Sequence, residues 1–255
     1  MALLIFDSGF GGLSIQQAMK QRYPELLIHQ FADHAHLPYG TKSPSFISHR
    51  LTTVVPQLIQ KLEIDTVVVA CNTASTHALS ELRQRVRQPV IGVVPAIKPA
   101  AQLTHCNHIV VLATTATVNS TYTQQLIDDH ASSIKVTLVA ADGLVSFAEE
   151  KIVLGHIDTT QLSKYVAELI AGISEFDTMV LACTHFPLLK EELSAFLPNH
   201  IRLIDSGDAV ARRLSDVAPS QSSRVAPATF ISSAPLSLTT HDAIKRFGFD
   251  QVELL

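Results

Sequence analysis

Short apolar runs alternate with segments of helical period along almost the whole chain. Residues 3–6, 67–70 and 90–94 are runs without polar alternation, the pattern of strands covered on both faces in a parallel sheet, and 27–31 reads as a further strand. Between them, a segment from about residue 13 and the stretches 45–62 and 73–86 predict crossover helices. The second half repeats the rhythm. Strands are predicted at 109–113, 136–140 and 179–182, with helices running from the Thr- and Ser-rich turn 114–120 to about 130, over 144–154 and over 160–173. Pro187 falls just inside the helix expected after residue 182, where its missing N–H is harmless. The whole reads as an α/β fold.

Two echoes point to duplicated halves. Val67-Val68-Val69-Ala70 runs into Cys71-Asn72-Thr73, and Met179-Val180-Leu181-Ala182 runs into Cys183-Thr184-His185. Each delivers a cysteine and then small polar residues at a strand's C-terminal end, where parallel sheets handle ligands. The Asp-Ser-Gly turn at 7–9 recurs at 205–207. Residues 215–227, rich in Ser, Pro and Ala, read as a loop. The segment beyond (a strand at 228–231, a helix near 241–246, a strand at 252–255) is expected to pack back on the first half. The predicted domains are therefore 1–96 with 208–255, discontinuous, and 97–207.

Composition narrows the function classes. With 255 residues, 47% hydrophobic and 16% charged, the chain can bury a sizeable core. A net charge of -4 and the absence of a basic stripe argue against a nucleic-acid partner; Arg83, Arg85 and Arg87 read as a solvated helix end. The longest apolar run is six residues, 1–6, against the roughly 20 that span a bilayer. No secretory signal is visible, and three scattered cysteines make no disulfide framework. The expectation is a cytoplasmic protein with reduced thiols and no membrane partner.

Candidate chemistry gathers at the strand ends. Two thiols presented alike from two halves suit a site with a sulfur on each face of a ligand, one adding a proton and the other removing one. Each is read as lying where a helix N-terminus depresses a thiol's pKa. In Asp7-Ser8-Gly9-Phe10-Gly11-Gly12 the glycines would bring backbone N–H groups to an anion smaller than a nucleotide, such as a carboxylate. Asn72, Thr73, Ser75, Thr76, Thr114, Thr117 and Thr184 offer the donors a dicarboxylate needs, and serve equally as helix caps. Of Glu149 and Glu150, one could tune Cys183 and His185, whereas a solvated face is the usual fate of such a pair. Cys106 between His105 and His108 lacks the spacing of a zinc site, and Asp33, His34 and His36 read as polar loop residues. No metal site is expected.

At these residues the chain resembles the cofactor-independent aspartate/glutamate racemase superfamily, its glutamate racemases in particular. The likeness is collinear: residues 6–14, Pro38-Tyr39-Gly40, residues 70–75, the 114–120 turn, Cys183-Thr184-His185-Phe186-Pro187-Leu188-Leu189, and residues 203–207. The resemblance implies two pseudo-symmetric parallel-sheet α/β domains with the active site in the cleft between them. It implies Cys71 and Cys183 as the two acid–base residues, Asp7 assisting the first, and Glu149 and His185 assisting the second. Ser8, Pro38, Tyr39, Gly40, Asn72, Thr73, Thr117 and Thr184 resemble the substrate-binding set. It further implies glutamate as the small-molecule substrate, no cofactor, a homodimer, and supply of D-glutamate for peptidoglycan synthesis. Residues 94–99 resemble an enterobacterial-type branch, some members of which respond to a cell-wall precursor; a chain beginning almost at its first strand speaks against that response here. The rivals are a related racemase for aspartate or a hydantoin, a non-catalytic dicarboxylate-binding module, and a thiol–disulfide oxidoreductase, for which no Cys-x-x-Cys exists.

Overall fold

A computed structural model of the chain describes residues 1–218 and 226–255. The first half runs β1 (Ala2–Asp7), α1 (Gly12–Arg22), β2 (Leu27–Ala32), α2 (Pro44–Leu62), β3 (Thr66–Val69), α3 (Asn72–Arg85) and β4 (Val90–Gly92). The second runs α4 (Ile97–Leu103), β5 (His108–Ala113), α5 (Thr115–Val118), α6 (Thr121–His130), β6 (Lys135–Ala140), α7 (Gly143–Leu154), α8 (Thr159–Leu169), β7 (Thr178–Leu181), α9 (Lys190–Phe196) and β8 (Arg202–Ile204). The chain then continues through α10 (Gly207–Val217), β9 (Thr229–Ser232), α11 (Leu238–Lys245) and β10 (Gln251–Leu254).

Among the described residues there are two sheets, ordered β10-β9-β2-β1-β3-β4 and β6-β5-β7-β8, and all their recorded pairings are parallel. The fold is thus α/β with two parallel sheets. Central strands β1, β3, β5 and β7 are buried along their whole length, which is why they read as unbroken apolar runs. The four-strand order β2-β1-β3-β4 reappears as β6-β5-β7-β8. Strand β3, which delivers Cys71, therefore corresponds to β7, which delivers Cys183. The tail lies on the first half: β9 pairs with β2 and β10 with β9. Between the halves a single buried apolar cluster joins Phe10, Leu13, Leu144, Leu181, Phe186, Phe230 and Ile244.

Several sequence expectations need correction. The Asp-Ser-Gly echo is not part of the duplication: 7–9 follows β1, whereas 205–207 follows β8, the counterpart of β4. The 114–120 turn opens a helix that ends at His130, as expected, but holds a four-residue helix of its own, α5, before Ser120 turns extended and caps α6 by accepting from Tyr122 N–H. The helix over 160–173 stops at Leu169, ahead of Gly172 at φ 78°. Pro187 enters a 3-10 turn, Phe186–Leu189, rather than an α-helix. The loop expected from 215 starts too early: Val210, Ala211 and Leu214 make a buried stripe that carries α10 through Val217. Residues 219–225 of that predicted loop lie outside the described residues.

Candidate active site

The strand ends meet across the gap between the sheets. Cys71 precedes α3 as its N-cap residue, and Cys183 follows β7 by two residues. Both are nearly buried and neither is in a disulfide. They line one narrow cavity with Ser8, Pro38, Tyr39, Gly40, Asn72, Thr73, Thr114, Thr184 and His185. Its free space, about 20 Å³, is room for one water.

Pseudo-symmetry extends to the cross-links between the halves. From the end of β1, Asp7 accepts a hydrogen bond from Thr184 Oγ1 at 2.8 Å, one residue past Cys183. From the end of β5, Thr114 Oγ1 lies 3.3 Å from Thr73 Oγ1, two residues past Cys71. Thr117 does not line the cavity. It is buried behind Thr114, accepting its hydroxyl at 3.2 Å.

Each thiol has its own escort. Ser8 Oγ is 3.8 Å from Cys71 Sγ. Burial, reinforced by the charge of Asp7, pushes the Cys71 thiol well above its ordinary range. The helix N-terminus was expected to depress it; desolvation inside the closed gap outweighs that dipole. Burial also pushes Asp7 up, against the opposing pull of His185, the Gly9 N–H and Thr184. On the other side, His185 Nδ1 lies 3.8 Å from Cys183 Sγ and its Nε2 lies 2.6 Å from Glu149 Oε1. Gly11 N–H also points at Nε2, at 3.2 Å, but could bond only to an unprotonated nitrogen. The short approach to a carboxylate requires a hydrogen on Nε2.

Glu149, on α7, is the carboxylate that faces the site; Glu150 is exposed. Burial favours its neutral form, but the hydrogen bond from His185 and the His34 imidazole 3.4 Å away overcome that and hold it down at about 2. Burial likewise opposes the charge on His185, yet the contacts with Cys183 and Glu149 keep it well above its usual range. The two shifts define a pH window. A carboxyl held low contributes its full stabilisation above the ordinary value of 4.5 and loses it as pH falls toward about 2. An imidazole held high contributes fully below 6.5 and loses that contribution as pH rises through its folded value. Thermal melts should therefore show this pair stabilising most between about pH 4.5 and 6.5. Glu149→Gln should lower Tm most inside that window and flatten the acid-side slope.

The glycine-rich turn has a use different from the one expected. Its N–H groups meet the protein's own side chains: Gly9 N–H donates to Asp7 and Phe10 N–H to Glu149 Oε1, at 2.9 and 2.7 Å. It cradles a carboxylate, but one supplied by the opposite half. A side chain on Gly9 would meet Glu149, His185 and Leu37, and one on Gly11 would meet Thr184 and His185.

Sequence reasoning missed the support of the 38–40 loop. Asp33, read as a polar loop residue, is fully buried. It accepts from Tyr39 Oη at 2.6 Å, from Arg50 through Nε and Nη2 at 3.0 and 2.7 Å, and pairs with His36 Nδ1 at 3.0 Å. Burial alone would raise its carboxyl, but these donors hold it well below the usual carboxylate range. Burial and the Asp33 charge in turn push the Tyr39 hydroxyl far up, so Tyr39 stays neutral and tethered. The only forward signal was an acidic residue at a strand end with an arginine on the next helix.

A family model for Asp/Glu/hydantoin racemases matches residues 13–214. The chain belongs to the Asp/Glu/hydantoin racemase family. Within it, the chain is 42% identical to the glutamate racemase of Photorhabdus laumondii, over 99% of this chain and 90% of that protein. Among solved structures it is similar to Escherichia coli glutamate racemase in complex with L-glutamate and the activator UDP-MurNAc-Ala: TM-score 0.94, 36% identity, 100% of this chain and 97% of that one. It is also similar to the Francisella tularensis glutamate racemase in complex with D-glutamate: TM-score 0.80, 26% identity, 100% and 97% covered. These relatives are isomerases. Among the described residues no helix is long and apolar enough to cross a membrane.

Proposed function

We propose that the chain interconverts L- and D-glutamate by passing the α-proton between Cys71 and Cys183. One sulfur, as thiolate, takes the proton from Cα and leaves a carbanion; the other, as thiol, delivers a proton to the opposite face. The two sulfurs exchange protonation states in the turnover. The observation that carries this reading is the placement of both thiols at the ends of corresponding strands, β3 and β7, facing one cavity. The relatives solved with each enantiomer of glutamate support the substrate.

The chemistry demands help, because an amino acid's α-hydrogen is very weakly acidic. A thiol pushed up by burial becomes, once ionised, a stronger base, which narrows the gap to that carbon acid. His185, carrying a proton against Cys183, can return it to or withdraw it from that sulfur. Carbanion charge spreads onto the α-carboxylate, so donors aimed there lower the barrier. Asn72 Nδ2 is buried with no hydrogen-bond partner among the described residues, a donor available to a carboxylate. The hydroxyls of Ser8, Thr73, Thr114 and Thr184, and the 38–40 loop, complete the binding set. A dicarboxylate is far larger than the free space in the cavity, so binding requires the halves to part and close again, which excludes water from the carbanion.

The units that move are taken as 1–96 with 208–255 and 97–207. The enzyme is assigned to the cytoplasm as a homodimer, supplying D-glutamate for peptidoglycan synthesis. The test is incubation with L-glutamate in D2O without added cofactor. Circular dichroism should decay to zero while deuterium enters the α-position of the D-product. Turnover of aspartate or a hydantoin in its place would reassign the substrate, and inertness toward all three would overturn the reading.

A further inference from the structure

His34 takes no part in the reaction above, yet it sits against the group that aligns the second thiol. It lies on the loop after β2 with its side chain 10% exposed. Its ring packs on Phe10, centroids 4.3 Å apart, and more distantly on Phe230. Nδ1 is 3.2 Å from Ser232 Oγ at the end of β9. The Ser232 hydroxyl gives its own hydrogen to Ala234 O at 2.7 Å, so toward His34 it can only accept, and Nδ1 must donate. The other nitrogen, Nε2, lies 3.4 Å from Glu149 Oε2. It is buried and makes no hydrogen bond, so the contact with Glu149 is an ion pair, favourable when the imidazole carries a hydrogen on both nitrogens.

Glu149 thereby meets a histidine at each oxygen, by a hydrogen bond at one and an ion-pair contact at the other. Oε1 takes His185 Nε2 and the Phe10 N–H, and Oε2 faces His34. Without His34 the carboxylate can rotate, because among the described residues nothing else meets Oε2. We propose that His34 is a positioning residue for the second thiol: it fixes the far oxygen of Glu149, so that the near oxygen stays on His185 and His185 stays on Cys183. The contact also runs between halves, from β9 through the β2 loop to α7, and so forms only when the cleft is closed. The catalytic part of this assignment rests on the two-thiol reading.

Two measurements test it, and the first does not depend on any activity. The titratable groups facing Glu149 are His34, His185 and, more remotely, Asp7. In His34→Leu, which keeps bulk and removes the donors, the Glu149 carboxyl followed by 13C NMR should titrate at higher pH than in the parent. His34→Gln, which restores an N–H, should bring it part of the way back. An unchanged midpoint in His34→Leu overturns the proposal.

The second measurement is kinetic. His34→Leu should lower kcat/KM about tenfold, less than the hundredfold of a gross misplacement. Thermodynamics forces equal losses in both directions, since the enantiomers are equally stable. The isotope effects need not be equal. With α-deuterated substrates, the effect on kcat/KM should rise for the enantiomer deprotonated by Cys183 and fall for the other. The same substitution in a Glu149→Gln background should cost less than twofold. Equal isotope effects for both enantiomers, or full additivity with Glu149→Gln, would show a structural role only and overturn the proposal. If the parent itself racemises nothing, the two-thiol reading fails, while the NMR titration still decides whether His34 fixes Glu149.

Discussion

Replacing either Cys71 or Cys183 with alanine should abolish racemisation, lowering kcat by about 10³-fold or more, the scale of losing a positioned acid–base group. Neither substitution should prevent folding, because each thiol is a small buried group with no disulfide and no helix-capping bond. Losing both thiols should cost little more than losing one, since a two-face transfer fails when either face is empty. The decisive readout is stereochemical. With Cys71 removed, Cys183 and its His185–Glu149 relay remain intact, so one enantiomer should still exchange its α-hydrogen with D2O while retaining configuration. With Cys183 removed, the opposite enantiomer should do so. A variant that kept racemising, or two variants that exchanged the same enantiomer, would sink the two-sulfur account. A binding module would keep its affinity for glutamate in both variants and show no exchange in the parent.

Gly11→Ala should reduce activity about a hundredfold, whereas Gly12→Ala, one residue on, should remain active. The backbone does not distinguish them by strain: Gly11 sits at φ -52° and ψ -35°, which alanine adopts readily. Space does. A Cβ on Gly11 would lie 2.6 Å from His185 Nδ1 and 2.9 Å from Cε1, and would collide with Thr184 Oγ1. Neither neighbour is free to yield, because His185 is fixed between Cys183 and Glu149 and Thr184 is bonded to Asp7. The strain, about 1–3 kcal/mol for overpacking, falls on the relay itself or pushes the halves apart. At Gly12 the Cβ would meet the end of Gln30 at 2.8 Å and Ile5 Cγ2 at 3.1 Å; that amide has no hydrogen-bond partner among the described residues, and neither side chain has a part in the site, so the strain costs stability before it reaches the relay. The measurements are kcat and Tm for both variants. Comparable activity losses in the two would mean that the turn matters for folding rather than for seating His185.

How far the sequence could be read depends on the range of the interaction concerned. The strands around residues 3–6 and 109–113 were legible because burial on both faces leaves an unbroken apolar run, a signal contained in a few adjacent residues. The stop before Gly172 was not weighed, although it is written in local cap chemistry. Asp33 was beyond reach for another reason. Its burial depends on Arg50, 17 positions away, and on Tyr39 folding back over it, and a lone Asp after a strand looks the same whether solvated or sequestered.

From its amino-acid order alone, this chain was committed to alternating strands and helices in two similar halves, to a cysteine at the end of one strand in each, and to its family. Those are properties of short segments, set by hydrophobic period and by which residues a strand end can present. The packing of the two halves decided the rest. It chose Glu149 over Glu150, spent the glycine turn on a carboxylate 139 positions away, tied Asp7 to Thr184 across 177 positions, and set His34 against α7. Such pairings leave no periodic trace, because each is a distance of about 3 Å fixed only when two separately built sheets close on one another.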